Sequence, residues 1–172
     1  PPLAKITRSA TSRRRASRRM NRRELNRLLS SGCSLTNSSV SAGAERAKLS
    51  DALAGHRLVT AIGPGGVGKT RLAISVAADL AGDRRDGAWF VDLVRVTDPA
   101  AVMAAVAEAV GVPERLAVSP PAALVASLAQ RDGLLLLDNC EHLVDGVREC
   151  VELIVSRCPG VTVLATSRIR LM

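Results

Sequence analysis

Eight consecutive residues carry the clearest chemistry in this sequence. Gly63, Pro64, Gly65, Gly66, Val67, Gly68, Lys69 and Thr70 fit the pattern GxxxxGK[ST]. Glycines at these places let a loop wrap with its backbone N–H groups turned inward, the geometry that cradles phosphate oxygens. A helix starting here adds the positive end of its dipole, roughly half a charge. Lys69 offers a flexible point charge to β and γ phosphates, which a planar guanidinium cannot reproduce. That choice is informative in a chain with 21 Arg and only three Lys (Lys5, Lys48 and Lys69). Thr70 supplies a hydroxyl for Mg²⁺. Arg71 completes the stretch of candidate nucleotide-binding residues.

A second group follows the run Leu134-Leu135-Leu136-Leu137-Asp138. A hydrophobic strand ending in Asp, downstream of such a loop, supplies the carboxylate that manages Mg²⁺. Asp138 is therefore expected to share the metal with Thr70. Asn139, Glu141 and His142 come next. Glu141 has two readings: it polarises an attacking water, or it is a helix-start carboxylate favoured by the dipole. His142 is expected to be structural. The third group is Val163-Leu164-Ala165-Thr166-Ser167-Arg168. Ligands of open parallel sheets sit at the C-terminal ends of the strands, which brings Thr166, Ser167 and Arg168 to the phosphate end. Arg168 either contacts a γ-phosphate or is a solvated strand-end charge. Asp92, ending another strand, is expected to face the same rim in a structural role.

These residues need elements to hold them. Residues 57–62 read as a strand running into the glycine loop, and 69–81 as a helix with Leu72, Val76 and Leu80 in line. Strands follow at 88–93, 134–138 and 161–166. Helices are expected at 44–54, from Asp98-Pro99 to Val110, from Ser119-Pro120-Pro121 to about residue 130, and at 143–157. Asp98 suits an N-cap and Pro99 a first helical position. The strands are near-continuous apolar runs, as in a parallel sheet buried on both faces by helices. The fold class is α/β with four strands. Asp79, Asp83, Arg84, Arg85 and Asp86 read as solvated helix-end charges.

Charge divides the chain. The formal net charge is +8, yet ten of the 24 basic residues and only one of the 16 acidic ones lie in residues 1–40. The remainder is close to neutral. Residues 1–40 are expected to be disordered for most of their length, since like charges repel and little apolar surface offsets the ordering entropy. A short helix at 21–29 and a Ser-rich linker at 30–43 complete that reading. The domain division is thus a basic tail at 1–40 and a nucleotide-binding domain at 41–172. The longest apolar run is too short to span a bilayer, and no secretory signal pattern follows the basic start. Cys33, Cys140, Cys150 and Cys158 form no CxxC, and are expected to be reduced, partly buried thiols of a cytoplasmic protein.

In order, TAIGPGGVGKTRLA, AWFVDL, LLLLDNCEHL and VTVLATSR resemble the STAND class of P-loop NTPases. More closely, residues 42–170 resemble the NB-ARC-like domains of large bacterial, notably actinobacterial, transcriptional regulators. The resemblance implies an ASCE-type P-loop fold, with the Thr166 strand between the P-loop strand and the Asp138 strand. It implies ATP or ADP at Gly68, Lys69 and Thr70, Mg²⁺ handled by Asp138, and a γ-phosphate sensor at Arg168. Ala42-Gly43-Ala44-Glu45 stands where the family has a Val-Gly-Arg-Glu block near the base. The family continues into helical and winged-helix subdomains that this sequence lacks, so the fold is expected to be C-terminally incomplete, with the P-loop strand at an open edge.

Three functional readings follow. The first is a nucleotide-dependent switch module with slow hydrolysis, if any, whose partners are nucleotide and the absent subdomains. The second is nucleic-acid binding through the Arg-rich tail, with DNA reached there or through other domains. The third is an inactive fragment.

Overall fold

The structure, a computed structural model, describes residues 17–20, 24–25, 39–112 and 119–171. Five strands are described: β1 (Ser17–Met20), β2 (Leu58–Ile62), β3 (Ala88–Asp92), β4 (Gly133–Asp138) and β5 (Val161–Ser167). The helices are α1 (Ser39–Gly55), α2 (Lys69–Leu80), α3 (Val102–Ala109), α4 (Pro120–Leu128) and α5 (Val144–Arg157).

The strands form one sheet in the order β1-β3-β4-β5-β2. β2 to β5 are mutually parallel, and β5 lies between β2 and β4 as the resemblance implies. The result is the expected α/β fold, a parallel sheet flanked by helices. Every residue of β4 and β5 is buried, whereas β2, at the sheet edge, is only half-buried and ends on the exposed Ile62. This explains why apolar runs replace alternation in the central strands.

Alternate side chains serve opposite faces. Trp89, Val91, Leu135, Leu137, Val163 and Ala165 pack on one side with α3, α4 and α5. Phe90, Leu134, Leu136 and Leu164 pack on the other with α1 and α2. Each large apolar side chain buried this way contributes about 1.5–3 kcal/mol. The two-sided burial of the Leu134–Leu137 run is therefore the main force fixing Asp138 at its end.

Several expectations are corrected. The segment read as a tail supplies a fifth strand: β1 pairs antiparallel with β3, Ser17 opposite Val91 and Met20 opposite Ala88. Leu25, in the expected helix at 21–29, is fully buried with Leu49 and Leu53, while the rest of that helix lies outside the described residues. α1 begins at Ser39, inside the expected linker. The helix foreseen from Asp98 starts as a tight 3-10 turn at Pro99–Ala101, with the Asp98 carboxylate accepting from Ala100 N at 2.9 Å. The charges after α2 are not merely solvated. Arg84 donates to Asp132 at 3.1 Å and Thr162 at 3.3 Å, and Asp86 accepts from Asp132 N at 3.0 Å.

Candidate functional site

The parallel register sets Asp92 opposite Asp138 and Ala61 opposite Thr166. All the polar strand ends therefore reach one rim, where the glycine loop leaves β2. In that loop Gly66 (φ 81°) and Gly68 (φ 87°) adopt the left-handed backbone, which a Cβ disfavours. Gly68 is also the N-cap of α2, and no side chain caps that helix, so its first amides are left for another acceptor. Lys69 Nζ donates to the carbonyls of Gly63 at 2.6 Å and Pro64 at 2.8 Å. Its ammonium is thus held over the loop by two weak acceptors that an anion can displace.

A cleft of roughly 370 Å³ opens here, lined by Gly65, Gly66, Gly68, Lys69, Thr70, Arg71, Ile74, Asn139, Glu141, Thr166 and Arg168. Most of the residues singled out from sequence are brought together. Val67 is 60% exposed and does not line the cleft. Gly63 and Pro64 contribute their carbonyls to Lys69 rather than lining the cleft. Arg168 Nε lies 2.9 Å from Glu141 Oε1, and its guanidinium rests close against Gly65. A side chain at position 65 would meet that guanidinium.

Beneath the cleft lies a buried carboxylate network. Asp138 is 3% exposed. Its Oδ1 accepts the hydroxyls of Thr70, at 2.8 Å, and of Thr166. Its Oδ2 accepts Asn139 Nδ2 at 3.0 Å, and the same amide reaches Asp92 Oδ1 at 3.2 Å. Burial raises the Asp138 pKa above the ordinary carboxylate value. The Thr166 and Thr70 hydroxyls pull it back down, while the charges of Asp92 and Glu141 raise it. Asn139 sits at φ 61°, the one non-glycine residue with positive φ among the described residues. Asn tolerates this conformation, and here it turns the chain off β4 towards Glu141.

The donor set suits a nucleotide with Mg²⁺. Among the described residues no cluster of three or more His, Cys, Asp and Glu is gathered as a metal site. A phosphate-bound Mg²⁺ does not need one: a threonine hydroxyl beside one carboxylate is enough, the phosphates and waters supplying the other oxygens. Other candidates prove structural. His142 Nε2 bonds the Val96 carbonyl at 2.9 Å, and Asp92 caps the turn at Val94 N at 3.0 Å. Cys140, Cys150 and Cys158 are free and buried, and burial pushes the Cys140 and Cys150 thiols up to about 12.

Sequence reasoning placed Thr166 and Asn139 near the phosphates but missed what they hold. The available signal was a threonine near the end of a largely apolar strand.

Three comparisons with known proteins give matches. The family model described as AAA domain matches residues 27–164. A protein of Mycobacterium tuberculosis, named as a candidate HTH-type transcriptional regulator, is 47% identical over 116 residues, covering 67% of this chain and 13% of that protein. An uncharacterised protein of the same organism is 38% identical over 125 residues, covering 71% of this chain and 32% of its own length. This chain therefore spans a minor part of both relatives. Among solved structures, PCH-2 of C. elegans aligns with a TM-score of 0.48 at 17% identity, covering 78% of this chain and 39% of that one.

Proposed function

The chain belongs to the AAA domain family of P-loop NTPases, and on that premise we propose that residues 41–172 are an ATP- and ADP-binding module of the STAND type, with residues 1–40 as its basic N-terminal extension. The observation that carries the reading is the Lys69 ammonium held on the carbonyls of a loop whose Gly66 and Gly68 take left-handed backbone, with the next residue, Thr70, hydrogen-bonded to Asp138.

In this reading the amides of Gly65 to Thr70 bind the phosphates, and Lys69 leaves its two carbonyls for the β and γ oxygens. Arg71 flanks the same anion. Thr70 and Asp138 would hold Mg²⁺, which when bound would supply positive charge to offset that of the phosphates. Glu141 orients water, and Arg168 meets the γ-phosphate. Without an arginine supplied in trans, turnover is expected at about 10⁻⁴ to 10⁻² s⁻¹. The LDNCEH and TSR blocks support the STAND assignment. The longer relative named for transcriptional regulation supports placing the module in a regulator that contacts DNA through other domains. Among the described residues no helix is long and apolar enough to cross a membrane.

Titration with Mg-ATP, Mg-ADP and Mg-GTP, beside Lys69→Ala, tests the reading. The variant is expected to lose at least ~10-fold in affinity, because a charge-assisted bond contributes about 1.5–3 kcal/mol. Unchanged affinity in that variant would remove the phosphate site.

A further inference from the structure

The Asp138 carboxylate is held from both sides by groups that no phosphate-binding motif specifies. Thr166 Oγ1 accepts the backbone N–H of Asn139 at 3.1 Å and donates to Asp138 Oδ1. A hydroxyl has one proton, so the N–H arriving at its lone pair directs that proton to the carboxylate. On the other oxygen, Oδ2, the Asn139 side-chain amide donates at 3.0 Å while also anchored on Asp92. With the Thr70 hydroxyl, three donors occupy a group with about four acceptor sites. The residual acceptor site is on Oδ2, where the Asn139 amide is the one donor among the described residues.

We infer that Thr166 and Asn139 are positioning residues for Mg²⁺: together they clamp the Asp138 carboxylate in one orientation, so that it meets the hydrated metal beside Thr70 without reorganising. The inference rests on the nucleotide reading above and adds to it two residues that act through the Asp138 carboxylate. The clamp is assembled from three strand ends. Thr166 is the last residue but one of β5, Asp138 closes β4 and Asp92 closes β3, and Asn139 is the left-handed residue that follows β4. Both Thr166 and Asp138 are buried, so water cannot replace a lost donor cheaply.

The test is Mg²⁺-dependent binding of a fluorescent ATP analogue, measured in EDTA and across a Mg²⁺ titration. Thr166→Val keeps the shape and removes the hydroxyl, Thr166→Ser restores it, and Asn139→Gly removes only the amide, since glycine accepts the positive φ. Supporting contacts of a metal site typically govern 10- to 100-fold in metal affinity. We therefore expect the Mg²⁺ midpoint to rise about 10-fold or more in Thr166→Val and in the same direction in Asn139→Gly. It should remain near wild type in Thr166→Ser, and any loss of affinity in EDTA should be smaller than the loss in Mg²⁺.

A wild-type midpoint in either folded variant overturns the clamp. So does a midpoint that Thr166→Ser fails to restore, or an equal loss in EDTA, which would mark a packing role. Absence of nucleotide binding by the wild-type chain in both conditions would instead overturn the nucleotide reading itself, and the clamp with it.

Discussion

Arg168 and Glu141 face each other at 2.9 Å across the mouth of the cleft, with the arginine 64% exposed. In the proposed reading a γ-phosphate competes with Glu141 for this guanidinium. An ion pair so open to water holds its partner weakly, by up to about 1 kcal/mol. Glu141→Gln is therefore expected to raise the affinity for ATP relative to ADP by no more than about fivefold. Arg168→Ala should abolish the difference that the γ-phosphate makes. Parallel ATP and ADP titrations of the two variants read this directly, and an unchanged ratio in Arg168→Ala would exclude Arg168 as the sensor. The motif residues were legible because their chemistry is local: Gly68, Lys69 and Thr70 are adjacent, and each is demanded by the same phosphate. The Arg168–Glu141 contact was not, because nothing in the sequence says which acid the strand end would meet.

Between elements, close backbone approach is what a one-dimensional reading cannot see. Gly146 lies in the first turn of α5, and a Cβ there would come 2.2 Å from the Pro99 carbonyl oxygen. Alanine would gain about 1 kcal/mol of helix propensity. The clash is with backbone, which cannot swing aside, and overpacking of this kind costs typically about 1–3 kcal/mol. Sterics should win, so Gly146→Ala is expected to lower Tm by at least ~2 °C. Gly43 in α1 is the contrast, with nothing within 4 Å of its added Cβ, and Gly43→Ala should stabilise. Thermal unfolding of both variants checks the pair; a stabilising Gly146→Ala would show that the α5–Pro99 contact yields. Arg57 gives a second example of contact across elements. It was read only as the start of a strand, yet it donates to the carbonyls of Val155 at 2.7 Å and Val161 at 2.9 Å, tying the end of α5 to β5.

For the whole molecule, composition separated a basic tail from a neutral domain, and the fold joins them. β1 completes the sheet beside β3, and Leu25 is fully buried against α1 and α2. Leu25→Ala is therefore expected to cost about 2–5 kcal/mol, as for other buried leucines. A Tm equal to wild type would mean that the segment is dispensable to the core. Charge density misled here because it averages over forty residues, whereas a strand needs only four with one free sheet edge to join. Arg46 makes a similar link, pairing with Asp79 between α1 and α2.

By itself the sequence determined the phosphate loop, the apolar strands, the carboxylate that ends the second motif and the α/β class. All of these are short-range: turn chemistry, periodicity and runs of leucine act within a few residues. The tertiary structure decided the rest. Thr70 and Asp138 are 68 residues apart, Asn139 and Asp92 are 47 apart, and Thr166 and Asp138 are 28 apart. Whether such groups meet depends on strand order and register. Those are set by burying both faces of β4 and β5 at once, a condition that only the assembled sheet can satisfy.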